Sequence, residues 1–231
     1  MIRVLTILLA IAAVGCGDSV SIATCPGPQC PCMGSSCACV DQSCALDCTD
    51  VPQTAVDVCS LSCSQNSACD ASCNDACQVD CAEGTSCEVT GAATNMDIDC
   101  TGAECDLATG MGSNIDCMSN STCTIDAGDN AEIDCATGTT CTVVAGPDGD
   151  IDCESGSACM ISAGADGDVK CNDSECTIQL GEAAVAACTE GATCAVTCTG
   201  ACQVTCDPLS SCTLQCNGEA EASTVMDQAS C

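Results

Sequence analysis

The chain contains no phenylalanine, tyrosine, tryptophan or histidine. Only Arg3 and Lys170 carry positive charge, against 33 acidic residues, which gives a net charge of −31. Each absence removes a class of function. Without histidine there is no Ser–His or Cys–His nucleophilic pair and no zinc–histidine site. Without basic clusters or aromatic stacking platforms, nucleic acid and phosphate ligands have nothing to hold them. Paired carboxylates can hydrolyse glycosides, but no ring is present to stack on a sugar. No catalytic constellation appears, so a non-enzyme is expected. The missing rings bear on the fold as well. Aromatic side chains bury about 150–250 Å² each, and a domain with none needs another source of cohesion.

That source is cysteine, of which there are 33. Most of them fall on one frame. Residues 135–152 read CATGTTCTVVAGPDGDID, and Cys153 begins the phrase again as CESGSACMISAGADGDVK. The unit is C-x5-C-x-V-x-c-x3-c-x-I-x, where c is Cys or a small residue. Units open at Cys63, Cys81, Cys100, Cys117, Cys135, Cys153, Cys171, Cys188 and Cys206, spaced 17 to 19 residues apart. A fixed period in this range marks a repeat architecture. Cys73/Cys77 and Cys198/Cys202 occupy the c positions, where other units carry Ala127/Ala131, Ala145/Gly149, Ala163/Gly167 or Thr109/Ser113. Cysteine pairs that exchange with small pairs point to two positions facing each other across a narrow interior.

Each unit holds two segments of period two, such as CTVVA and GDIDC. Successive side chains of a strand point to opposite faces, so Cys141, Val143 and Ala145 share a face, as do Gly149, Ile151 and Cys153. Turn residues fill the gaps. The expected fold is all-β: a narrow, disulfide-laddered β-solenoid with two short strands per rung of roughly 18 residues. An open antiparallel meander of the same strands would leave a broad Cys/Val face, and no other segment can cover it. A disulfide brings Cα atoms to about 4.4–6.8 Å, whereas packed sheets normally sit about 10 Å apart. Walls stapled that closely leave no room for rings.

The frame assigns bridges. Across the x5 turn it pairs Cys39–Cys44, Cys63–Cys69, Cys81–Cys87, Cys100–Cys105, Cys117–Cys123, Cys135–Cys141, Cys153–Cys159, Cys171–Cys176, Cys188–Cys194 and Cys206–Cys212. Across the other turn it pairs Cys48–Cys59, Cys73–Cys77 and Cys198–Cys202, and Cys216 is left for Cys231. Cys25, Cys30, Cys32 and Cys37 remain for two further bridges of open connectivity. A thiolate metal store would also be rich in cysteine, but Cys30-Pro-Cys32 and Cys37-Ala-Cys39 are the only C-x-C pairs. An exported, oxidising setting favours bridges.

Export is read from the amino terminus. Arg3 precedes an apolar run, Val4–Val14, which is shorter than the about 20 residues a membrane span needs and suits a secretory signal. The run ends Ala13-Val14-Gly15-Cys16, which resembles the lipobox of bacterial lipoproteins, with Ala13 in place of the usual Leu. The resemblance implies a signal peptide at 1–15, cleavage before Cys16 and lipid on that residue. Gly17, rather than Asp, follows, which leans towards the outer membrane. Removing Cys16 leaves 32 cysteines, an even number. Residues 16–36 read as a tether and N-terminal cap, 37–216 as the solenoid, and 217–231 as a C-terminal cap. Residues 49–58 form an insertion. The recurring CxVTC and CxxGxxC phrases, at 194–206 and 135–141, are similar to those of cysteine-rich repeat lipoproteins of myxobacteria. That likeness implies an address at the cell envelope and no activity.

The two outward faces differ. One carries acid ahead of each repeat-opening cysteine: Asp80, Asp97 and Asp99, Asp116, Glu132 and Asp134, Asp150 and Asp152, then Asp168 and Lys170. Hard cations take carboxylate and turn-carbonyl oxygens. Glu132, Asp134, Asp148, Asp150, Asp152, Asp166 and Asp168 are therefore candidate Ca2+ ligands. AGPDGDIDC and AGADGDVKC resemble the repeats of calcium-binding β-roll proteins, out of that family's register. The plainer reading is a solvated acidic face that keeps molecules apart. The other face carries hydroxyls, among them Thr122, Thr124, Thr140 and Thr142. With C-x5-C this is similar to insect antifreeze β-helices and implies ice or surface recognition as an alternative, although Glu104, Asp106, Met160 and Ala195 interrupt it. The expected protein is a non-catalytic, lipid-anchored structural or adhesive component of the envelope, with the membrane as partner through Cys16 and no role in binding nucleic acid.

Overall fold

Alternate residues of each strand face opposite ways, and in a computed structural model of the chain that alternation closes into a tube. The structure describes residues 32–33, 36–48, 59–74, 76–219 and 221–231. The expected signal peptide, Cys16, Cys25, Cys30 and the insertion at 49–58 lie outside the described residues. Strand Thr140–Ala145 turns Cys141, Val143 and Ala145 inward, and Asp150–Cys153 turns Ile151 and Cys153 inward, all at 5% exposure or less.

Each rung lies on the last with like residue over like. Cys117, Cys135, Cys153 and Cys171 are parallel ladder partners in one sheet, and Cys123, Cys141, Cys159 and Cys176 are partners in the other. The chain alternates between a sheet of twelve strands and one of eleven. It is an all-β solenoid, and no helix occurs among the described residues. At the ends the direction reverses. Cys32–Met33 runs antiparallel to Ser36–Val40. Ser223–Val225 and Gln228–Ser230 add antiparallel strands to the two sheets at the other end. Such short edge strands leave little unpaired backbone for another chain to join.

Fourteen disulfides cross the interior among the described residues, each within a rung or its cap. The ten at the x5 turn have Cα atoms 6.1–6.7 Å apart. Cys48–Cys59, Cys73–Cys77 and Cys198–Cys202 span 6.0–6.4 Å at the opposite turn, and Cys216–Cys231 ties down the last strand at 5.5 Å. Cys37 is disulfide-bonded as well.

Where a rung lacks the second bridge, steric fit replaces it. A Cβ on Gly149 would lie 3.1 Å from that of Ala145, and one on Gly167 would lie 3.2 Å from that of Ala163. Alanine against glycine therefore fills the width. Leu180, fully buried opposite Ala184, is a departure from the small pairs expected here. The turns are packed as tightly. A Cβ on Gly164 would meet the backbone of the preceding rung, at Gly146 C and Pro147 N, at 2.6 Å.

Not all turn hydroxyls are the exposed fillers that the sequence implies. Ser67, Thr85, Ser121, Thr139, Ser157 and Ser174, each two residues before the second cysteine of its unit, are buried. Thr85 Oγ1 donates to Ala82 O at 2.7 Å and Thr139 Oγ1 to Ala136 O at 2.8 Å, carbonyls that also accept the same residue's N–H. The Ser67, Ser157 and Ser174 hydroxyls lie 3.4–3.9 Å from the sulfurs of Cys69, Cys159 and Cys176. A buried hydroxyl needs such a partner.

Ala127 and Ala131 stand where Cys198 and Cys202 stand in a later rung. The double variant Ala127→Cys/Ala131→Cys is expected to gain a bridge without rearranging the others. Closing a five-residue loop adds up to about 2 kcal/mol in the chain-entropy model. Intact mass should show no added free thiol, and the thermal midpoint should rise. Two reactive thiols in the folded variant would show that the walls diverge at this turn.

Candidate cation-binding face

Parallel, in-register stacking converts a composition into columns. On the twelve-stranded sheet one column runs Asp80, Asp99, Asp116, Asp134, Asp152, Lys170. The column beside it runs Asp97, Asn114, Glu132, Asp150, Asp168. Ladder neighbours are about 4.8 Å apart. Two like charges at that spacing repel by about 1 kcal/mol in water and about 3–4 kcal/mol at an effective dielectric near 20.

The two columns differ in exposure. Asp97, Glu132 and Asp150 are exposed, whereas Asp99, Asp116, Asp134 and Asp152 are half-buried in mid-face. Burial pushes the Asp134 carboxyl up to about 6, and the charges of Asp116, Asp152, Glu132 and Glu154 add to the shift. Asp99 is raised for the same reasons, burial first and then Asp116, Asp97 and Asp80.

Lys170 closes the array. Its Nζ lies 2.9 Å from Asp150 Oδ1 and 3.3 Å from Asp152 Oδ1, so one ammonium neutralises a carboxylate in each column. The hydrogen bond to Asp150 is the main reason its own pKa is pushed up. It is the only basic residue among those described; the other, Arg3, lies outside them.

The candidate ligands therefore separate into three groups. Glu132, Asp134 and Asp168 stand in the columns and make no ion pair with Lys170, although Asp168 shares its strand and face. Asp150 and Asp152 already share Lys170. Asp148 and Asp166 lie in the preceding turn, exposed and with φ of 58° and 57°. Asn95, Gly112 and Asn130 occupy the same turn position, all with positive φ. Gly, Asn and Asp tolerate this left-handed conformation best, and here each N–H reaches the next turn's carbonyl, as Asp148 N does to Ala165 O at 2.9 Å. Backbone conformation thus accounts for Asp148 and Asp166 without a metal. Asp99 and Asp116, which the ligand set omitted, belong at the centre of the uncompensated stretch. Their position one residue before the repeat-opening cysteine is visible in the sequence, but only the stacking of rungs sets them beside Asp134.

Among the described residues, the clustered cysteines of the interior are not free to ligate a metal. The sulfurs of Cys135, Cys153 and Cys159 lie within 4.8 Å of one another, but all three are consumed in disulfides. On the eleven-stranded sheet the central outward column reads Thr124, Thr142, Met160, Thr177, Ala195, Thr213, so the threonine array is broken at every second or third rung. No protein-family model matches the chain, and no curated protein or solved structure is significantly similar to it.

The raised Asp134 makes stability depend on pH in a set direction. The unfolded chain releases this proton near 3.8 and the folded protein near 6. Between those values the folded state binds more protons, so stability falls as pH rises through the window. Asp134→Asn is expected to raise the denaturation midpoint at neutral pH, disulfides intact, and to give no gain well below pH 3.8. An equal gain at both pH values would show that packing, not charge, is responsible.

Proposed function

We propose that this chain is a non-catalytic structural or adhesive rod of the cell envelope, exported, lipid-anchored at Cys16, probed from outside by its acidic sheet, which gathers divalent cations, Ca2+ first. The observation that carries the cation reading is the uncompensated run Asp80–Asp99–Asp116–Asp134, four carboxylates on consecutive rungs of one column. A divalent ion between neighbouring rungs relieves the repulsion that, with burial, raises the Asp134 pKa, so protons and calcium compete for the same oxygens. Exposed carboxylate sets without a dedicated loop bind weakly, and a Kd of about 10⁻⁴–10⁻³ M is expected. The envelope reading rests on the apolar run before Cys16 and on a disulfide content that suits an oxidising compartment.

Calorimetry in 0.15 M sodium chloride, where diffuse screening extends over about 8 Å, tests the cation reading. Calcium should bind with a defined stoichiometry that falls in Asp116→Asn/Asp134→Asn and weakens below pH 6, where Asp134 takes up its proton. No calcium heat, or an equal response to added sodium, leaves a purely solvating face. In the same work Cys16→Ser should release the protein from membranes or block its processing. Fractionation like the wild type would remove the anchor.

A further inference from the structure

The eleven-stranded sheet changes character along the rod. On strands Ala68–Ser72, Ser86–Thr90, Glu104–Thr109 and Thr122–Ala127, five of twelve outward positions are acidic. On the next five strands, from Thr140–Ala145 to Ser211–Cys216, Glu175 is the single charge among fifteen. Val144 and Met160 stand out from this neutral part, 49% and 57% exposed. They are diagonal neighbours, because Thr142 is the ladder partner of Met160 and Val144 that of Ser162. With Thr142, Ser162, Thr177, Gln179 and Thr197 they line one shallow, open depression of about 430 Å³.

We propose that this neutral face is where a second copy of the chain docks, two solenoids packing sheet against sheet as a twofold dimer. An isologous contact sets one patch against itself, so Met160 and Val144 of each copy meet the same neutral strands of the other across the twofold axis. Charge selects the same occupant. At a net charge of −31 two copies repel through the acidic sheet and through the acidic half of this one. The neutral half lets them meet without setting acid against acid. The area is sufficient for a weak dimer. Five strands at about 4.8 Å and six residues at about 3.3 Å cover about 500 Å² per copy. The total of about 1,000 Å² lies at the lower limit for a specific interface, the size of a weak, transient contact.

Sedimentation equilibrium on the full chain, with Cys16→Ser so that lipid drives no association and with chelator present, tests this. A monomer–dimer equilibrium is expected, and it should tighten as salt rises, because salt screens the repulsion between copies. Met160→Asp should weaken it at least about tenfold. Thr205→Asp, on the outward face of the other sheet, should leave it unchanged. Val144→Asp serves as a second variant should Met160→Asp lose its fold by circular dichroism. A monomer at every concentration and salt overturns the proposal. So does dissociation by Thr205→Asp alone, or a dimer that forms only with calcium, since either places the contact on the acidic sheet. The chelator separates this outcome from that of the calcium titration.

Discussion

The distance between the two walls governs this molecule. Disulfides at the x5 turn hold Cα atoms of facing strands 6.1–6.7 Å apart, well inside the about 10 Å at which sheets normally pack. At that width a ring has no place, and the chain contains none. The interior is instead cystine, a branched aliphatic such as Ile151 or Val143, and a small pair at the second turn. The bridges also shorten the problem of folding: each closes a loop of about seven residues and removes about 2 kcal/mol of unfolded-state entropy in the chain-entropy model.

A thin tube has consequences for its surface. Every second strand residue faces solvent, and the parallel register sets each one above its equivalent in the previous rung. Repeated aspartates thereby become continuous columns, with neighbours about 4.8 Å apart, and burial together with their repulsion raises the pKa values of Asp99 and Asp134. The proposed cation binding on one sheet and the proposed self-association through the neutral half of the other both follow from the same stacking rule. Neither needs a pocket, and neither needs the histidine, arginine clusters or aromatic rings that the chain lacks.

Much of the fold was legible because spacing and chemistry repeat. The C-x5-C phrase and the exchange of Cys198/Cys202 with Ala127/Ala131 already place two walls in contact, and the bridges of the structure join the same pairs. The surface was less so. That Lys170 reaches both Asp150 and Asp152 depends on two adjacent rungs meeting in register, which brings together residues 20 and 18 apart in sequence. Ser157 and Thr139 read as turn residues, and only the closed tube shows their hydroxyls inside. The Asp and Gly clustered at Asp148 and Asp166 also serve a left-handed turn, which the repeat spacing alone does not reveal. Leu180 breaks the small-pair rule, and nothing in the structure explains why that rung tolerates it.

The central claim is that bridges close rungs instead of linking them. The alternative is sterically near, since sulfurs of neighbouring rungs such as Cys135, Cys153 and Cys159 come within 4.8 Å of one another. Proteolysis of the unreduced protein at low pH, where thiolate exchange is slow, followed by mass spectrometry of linked peptides, decides between them. The account predicts Cys135–Cys141 and Cys153–Cys159, each within its own rung. Peptides joining Cys135 to Cys153, or Cys141 to Cys159, would contradict it.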